Sequence, residues 1–383
     1  MAETFSLSEL VIPGTYIDVR AEGLIGVGGL STGNIGIVGT ARNLDENGDP
    51  VVDEDGNPVD ITGKTFILSD YATAQETLGR YDAFSQKTLN LTRALELLYR
   101  NGARTVFARA LDPDNAATGD FSAAFDELVK DNVNILIAPE LSTVDARDLL
   151  TAVLDSAENN GRDVIAVVGS NATEVDDIKD HVRSNDRLIL AAPAIVTSET
   201  VVEDGRPKSS DVELSGSYTA AVVAGLLSTL APEDSPTNKV LAGVKDLVQR
   251  FSYGQVKDLV SGGVLVLESR QGVRVVRGIS TEMVDNGPFK QITTRRITDF
   301  AKAGIRQASN PFIGRLNNQR LRAALQAAIE GFLTTMVADE ALIGYSVEVT
   351  ATRQDERDGR AIVNAVIQPT LSIDFVAVTL VLQ

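Results

Sequence analysis

Between residues 121 and 200 the apolar positions alternate between two kinds of run. Short continuous ones, Asn134–Ala138, Asp163–Val168 and Arg187–Val196, read as strands buried on both faces. Between them, apolar residues recur at helical spacing. The clearest case is Leu149, Leu150, Val153 and Leu154, in a helix from about Val144 to Glu158, and Glu174–Arg183 reads as another helix. Buried strands separated by amphipathic helices predict a largely parallel sheet covered on both faces.

Upstream, Ile35–Val38 and Thr65–Leu68 read as strands and Tyr71–Gly79 as a helix. Gln86–Arg100 is a second helix, with Leu89, Ala94, Leu97 and Leu98 on one face and Asn101-Gly102 as its stop. Arg104–Leu111 follows as a buried strand. Downstream, the apolar helix Gly216–Leu230 ends at the breakers Pro232 and Pro236, Tyr253–Leu259 is helical, and Gly263–Glu268 with Val273–Ile279 forms a hairpin about Gln271-Gly272. Two long helices, from about Thr294 to Gln307 and from about Asn317 to Ala338, precede strands at Tyr345–Arg353, Ala361–Gln368 and Thr370–Leu382.

Both ends read as extended. Pro13-Gly14 gives a turn, and Thr15–Arg20 then alternates as a strand carrying Tyr16, Ile17 and Val19. At the other end Leu371, Ile373 and Phe375 alternate with Ser372 and Asp374, while Val376, Val378, Leu380 and Leu382 make both faces apolar. At about 3.3 Å per residue, Thr370–Gln383 spans roughly 45 Å. Such a segment is either an edge strand of its own domain or an arm that pairs with another copy, which removes the hazard of a free apolar edge.

Length and composition narrow the class. A chain of 383 residues divides into two or three domains, and an apolar fraction of 43% is that of a soluble globular protein. Cysteine is absent, which excludes disulfides and thiolate chemistry. No apolar run has the length of a membrane span, and the first residues lack the pattern of a secretory signal. A formal net charge of −18 argues against duplex nucleic acid as a partner.

The motifs that would carry chemistry fail on spacing. Gly26-Val27-Gly28-Gly29-Leu30-Ser31 has serine where a dinucleotide fingerprint needs its third glycine. Six residues separate Gly56 from Gly63-Lys64-Thr65, where a phosphate loop has four. The acidic run Asp45–Asp49 and Asp53–Gly56 lacks EF-hand register because Pro50 follows Asp49, so it reads as a solvated hairpin loop. His181 is the only histidine, and no Gly-x-Ser-x-Gly elbow accompanies it. No catalytic, cofactor or metal residue is expected.

The order of several short segments is more informative. Ile12-Pro13-Gly14-Thr15-Tyr16-Ile17 is followed by Asn101-Gly102-Ala103-Arg104, by Tyr218-Thr219-Ala220-Ala221 with Pro236-Thr237-Asn238-Lys239, and by Arg277-Gly278-Ile279-Ser280-Thr281. Arg295-Arg296-Ile297-x-Asp299-Phe300, Phe312-Ile313-Gly314-Arg315-x-Asn317, Gly344-Tyr345-Ser346-Val347 and Pro369-x-x-x-Ile373-Asp374-Phe375-Val376 complete the series. Taken together, these resemble the tail sheath proteins of contractile phage tails and related injection systems. Thr15 stands where the family usually has a branched residue, and the acidic insertion at 43–64 is this chain's own.

The resemblance implies an α/β plus α+β chain. Its parts would be an N-terminal arm at 1–25, the first part of the sheath core at 26–110, an outer α/β domain at 111–260, a C-terminal sheath domain at 261–369 and a C-terminal arm at 370–383. It implies a non-enzymatic structural subunit without cofactor that polymerises into stacked rings around an inner tube protein, between baseplate and tail terminator proteins. Neither membrane nor nucleic acid would be a partner. Tyr16, Ile17 and Val19 at one end would be donated to neighbouring copies, as would Leu371, Ile373, Phe375, Val376, Val378 and Leu380 at the other. Contraction would rearrange rigid subunits and drive the tube through a target envelope. Lys290, Arg295, Arg296, Lys302 and Arg306 fall in a region resembling the tube-side domain and are candidates to meet an acidic tube. Assembly would take place in a bacterial host's cytoplasm, and the product would be a virion tail or contractile particle. The alternatives are another component such as a baseplate protein, or an α/β enzyme working at the sheet's carboxyl edge.

Overall fold

The computed structural model describes residues 31–44, 49–57, 59–79, 91–203, 206–284 and 287–381. They fall into two compact units, one formed by 31–230 and 238–290, the other including 231–237 and 291–381.

The larger unit begins with β1 (Ile35–Thr40), β2 (Thr65–Leu68), α1 (Tyr71–Leu78), α2 (Leu91–Arg100) and β3 (Val106–Leu111). It continues through α3 (Thr118–Leu128), β4 (Ile135–Ile137), α4 (Thr143–Asn159), β5 (Ile165–Gly169), α5 (Val175–Asp180) and β6 (Leu188–Ala192). Then come β7 (Ile195–Glu203), β8 (Arg206–Glu213), α6 (Thr219–Thr229), β9 (Val244–Leu247), α7 (Tyr253–Ser261), β10 (Val264–Ser269) and β11 (Val273–Val275).

Eight of these strands form one sheet in the order β11-β10-β6-β5-β4-β1-β3-β2. The six inner strands are parallel, and the two edge strands run antiparallel to their neighbours. Alternation sorts the strand residues between two layers. Leu136, Val168 and Leu190 pack with Phe125, Leu150, Val153 and Leu259 from α3, α4 and α7 on one face. On the other face α6, apolar all round and buried from Thr219 to Leu227, lies across β4, β5 and β6. Gly225 admits α2 to α6, since a Cβ there would meet the Leu98 carbonyl oxygen at 2.8 Å. The mostly parallel sheet is therefore as anticipated, but it is wider than residues 111–260. Strands from 35–68 and 264–275 complete it, because β1 lies between β3 and β4 and β10 pairs with β6.

Arg187–Val196, anticipated as one strand, is two. β6 ends at Ala192 in the large sheet, and β7 starts at Ile195 in a separate three-stranded sheet, β8-β7-β9.

The smaller unit holds α8 (Ile292–Ser309), α9 (Gln319–Ala338), β12 (Leu342–Thr350), α10 (Arg353–Arg357) and β13 (Ile362–Pro369). β12 and β13 pair antiparallel, from Leu342↔Pro369 to Thr350↔Ile362. The core joins Ile297, Ala301 and Ile305 of α8 to Leu325, Ile329, Leu333 and Met336 of α9, with Leu342 and Ile367 from the strands. Asn318 caps α9 by accepting from the Leu321 N–H at 2.9 Å. The third anticipated strand, Thr370–Leu382, is assigned to no strand over its described residues; the Thr370 N–H donates to the Ala341 carbonyl, and Ser372 and Asp374 are held by side chains.

Candidate assembly site

The last described segment is a run of exposed apolar side chains. Leu371, Ile373, Phe375, Val376, Val378 and Leu380 are all exposed, from 61% at Leu371 to 86% at Leu380. The base of the segment is held by side chains. Ser372 and Asp374 are half-buried. Gln291 donates from Nε2 to the Ser372 carbonyl at 3.3 Å and accepts at Oε1 from the Ser372 N–H at 3.2 Å. The same Nε2 donates to Asp374 Oδ2 at 3.2 Å, and the Thr237 hydroxyl donates to Asp374 Oδ1 at 3.4 Å. The polar side of the alternating stretch thus faces its own unit, and the apolar side faces away. Tyr16, Ile17 and Val19 lie outside the described residues.

Beside this segment, β12 and β13 form only a two-stranded sheet among the described residues, backed by α9. A two-stranded ribbon has two edges of unpaired backbone groups to offer. Ile343 and Val366 add exposed apolar side chains on its surface.

The five cations expected on an exposed face do not form one. Arg295, Arg296 and Lys302 are 3%, 5% and 2% exposed, so three of the five lie inside the smaller unit. Arg295 pairs with Asp299 one turn on, at 2.5 Å. Arg296 donates to the Ala231 carbonyl at 3.0 Å, and burial draws its guanidinium down to about 10 while Glu233 and Asp234 hold it charged. The partners that make burial tolerable are a carboxylate four residues on and a segment some sixty residues upstream, neither of which a count of positive charges reveals. Lys290 and Arg306 keep partial exposure. Lys290 donates to the Glu282 carbonyl at 2.8 Å, and its ammonium is pulled below the usual lysine range by burial and by Arg277.

An enzyme built on this sheet would use the carboxyl ends of β1 and β4, where strand order reverses. Those two strand ends are tied to each other. Glu140 lies just past β4, and its carboxylate accepts from the Thr40 N–H at 2.8 Å and the Thr40 hydroxyl at 2.6 Å, at the end of β1. Burial pushes the Glu140 carboxyl up to about 8, against the pull of both hydrogen bonds. Gly39 leaves room for it, since a Cβ there would meet Glu140 Oε1 at 2.4 Å. Beyond β5 the backbone itself closes the edge: a Cβ on Gly169 would meet the Gly216 carbonyl oxygen at 1.9 Å.

His181 does meet a serine, Ser170, with Oγ 3.3 Å from Nδ1. That serine is fully buried and its Oγ also accepts from the Ala172 N–H. Burial and Arg147 lower the His181 pKa, and Arg147 bonds the His181 carbonyl at 3.1 Å. The group therefore ties α4 to the end of α5. In the acidic insertion, Asp53 Oδ1 accepts from the N–H groups of Asp55 and Asn57, so this carboxylate folds its own turn. Among the described residues no cluster of histidines and carboxylates is placed to hold a metal, and no helix is long and apolar enough to cross a membrane.

Comparison with curated proteins finds no match. Solved structures do resemble the chain. The helical sheath of the anti-feeding prophage in its contracted state aligns with a TM-score of 0.70 at 18% identity, covering 97% of this chain and 99% of that one. The sheath of an extracellular contractile injection system, PVC, also contracted, gives 0.71 at 15% identity over 99% and 98%. A chain from the anti-feeding prophage baseplate gives 0.73 at 18% over 97% and 99%. These likenesses establish the fold. The family rests on sequence: the profile of the phage tail sheath protein central domain matches residues 114–281, and that of the phage tail sheath C-terminal domain matches residues 284–383. Between them they take in well over half of the chain, including α8, α9, the β12–β13 ribbon and the exposed apolar segment, and on that basis the chain belongs to the phage tail sheath proteins.

Proposed function

We propose that this chain is the repeating subunit of a contractile sheath, joined to its neighbours by strands that each copy donates. The observation that carries this reading is the segment after Pro369: its apolar side chains are exposed, and among the described residues it adds no strand to the two-stranded β12–β13 ribbon beside it. Strand addition would give that segment backbone partners and remove its apolar side chains from water. Each backbone hydrogen bond contributes about 0.5–1.5 kcal/mol net, so five of them with the accompanying burial supply several kcal/mol per link. Val376, Val378 and Leu380 would be covered on both faces in the recipient, and Tyr16, Ile17 and Val19 would serve at the other end.

On this reading the subunits stack as rings around an inner tube between a baseplate and a terminator, are assembled in the host cytoplasm, and end in a tail or contractile particle. Contraction would move rigid units from a metastable lattice to a lower-energy one, a process that requires no nucleotide or catalytic group. Lys290 and Arg306, the members of the basic set with partial exposure, would be the ones to meet an acidic tube. A chain truncated after Pro369 should keep the circular dichroism and melting of the full chain but form no hollow striated cylinders in negative stain. Cylinders from the truncated chain would refute the reading.

A further inference from the structure

The base of the C-terminal arm is gripped by a side chain that imitates a strand. A glutamine amide carries a carbonyl and an N–H₂, so it can satisfy one residue's backbone as a neighbouring peptide would. Gln291 does this to Ser372, accepting from its N–H and donating to its carbonyl, and it reaches Asp374 with the same nitrogen. Gln291 occupies the N-cap position of α8 without making a side-chain cap bond, so the helix makes no use of this amide. Thr237 completes the grip from the segment 231–237 of the same unit.

Side chains in an extended segment alternate with a period of two, so fixing two alternate residues fixes the facing of all the others. With Ser372 and Asp374 held inward, Leu371, Ile373 and Phe375 must face out. A slip of one residue would present the serine and aspartate to the partner and press the apolar set against Gln291 and Thr237. We propose that Gln291 is a positioning residue for assembly: with Asp374 it sets the register and facing of the arm, so that a second copy of this chain receives the apolar side. This rests on the strand-donation reading.

Three full chains and one truncation test it. Gln291→Ala should speed exchange of the Ser372 amide by about tenfold in the unassembled subunit, the effect of losing one net hydrogen bond. Exchange within α8 and the melting temperature should be unchanged, and the yield of sedimenting polymer should fall. Gln291→Glu should polymerise no better, because it removes the donor and sets a second carboxylate against Asp374. Combining Gln291→Glu with Asp374→Asn restores a donor opposite an acceptor at residue 374 and leaves an oxygen for Thr237, but no donor for the Ser372 carbonyl, so it should recover part of the polymer that Gln291→Glu loses, which a merely structural role for Gln291 would not produce. Normal exchange at Ser372 and normal polymer from Gln291→Ala, while the chain ending at Pro369 fails to polymerise, would overturn the role of Gln291 and leave strand donation standing. Normal polymer from the truncated chain would overturn strand donation itself and the proposal with it.

Discussion

Replacing Glu140 by glutamine should make the larger unit more stable at alkaline pH, by an amount that grows with pH. The glutamine keeps the shape and can accept from the Thr40 N–H while donating to the Thr40 hydroxyl, but it cannot ionise. In the wild-type fold the Glu140 carboxyl is held up at about 8, from an ordinary value of 4.5. A carboxyl raised in this way contributes fully to stability below its unfolded value, and the contribution is lost as the pH climbs through the folded value. At about 1.4 kcal/mol per pH unit, the window between the two values sets a ceiling of about 5 kcal/mol, reduced by the solvent that a half-buried side chain still meets. With an isoelectric point near 4.6, the comparison starts at pH 6. Between pH 6 and 8.5 the variant should gain about 1–3 kcal/mol on the wild type in urea unfolding of the unassembled chain, at unchanged slope. A difference that stays constant across that range, or a variant that loses ground as the pH rises, would refute the assignment of a proton to this carboxyl.

Further substitutions probe the same unit. Arg187, 2% exposed, bridges Glu158 and Asp163 at 3.2 Å each, so Arg187→Ala should cost about 3–5 kcal/mol by leaving Asp163 buried without its cation. Asp163→Asn should cost little in that background, a coupling that a double-mutant cycle in urea would measure. Gly169→Ala puts a Cβ against backbone on Gly216, so the chain should fail to fold or melt many degrees lower, whereas Gly119→Ala, facing open space, should be near neutral.

The large sheet was readable wherever its strands are continuous apolar runs, because a strand buried on both faces leaves no other pattern. Partner choice was not readable. That β10 lies against β6, some eighty residues earlier, depends on which edge is free once β4, β5 and β6 have assembled. The β7–β8 hairpin is hidden in the sequence because Thr197, Ser198, Glu199 and Thr200 give it no apolar face, although Val201-Val202 before Asp204-Gly205 is a usable turn signal. The buried cations of α8 are hidden for the opposite reason. Positive charge defaults to the surface, and only Asp299, one turn after Arg295, hinted at an internal pair. The candidate arm was legible as alternation at 371–375, but the sign of that alternation was not. Nothing in the sequence says that Gln291 and Thr237 take the polar side.

The antiparallel β12–β13 ribbon also has a mechanical consequence. The arm continues directly from Pro369 at the end of β13, so a pull on the arm acts along the axis of that strand. The ladder bonds to β12 run across this axis and span the register from Leu342↔Pro369 to Thr350↔Ile362, so a load directed along β13 would be shared among them. Ile367, buried among Ile329 and Leu333, carries the load onward into α9. A partner that held the segment after Pro369 would thereby be coupled through β13 to the core of the smaller unit.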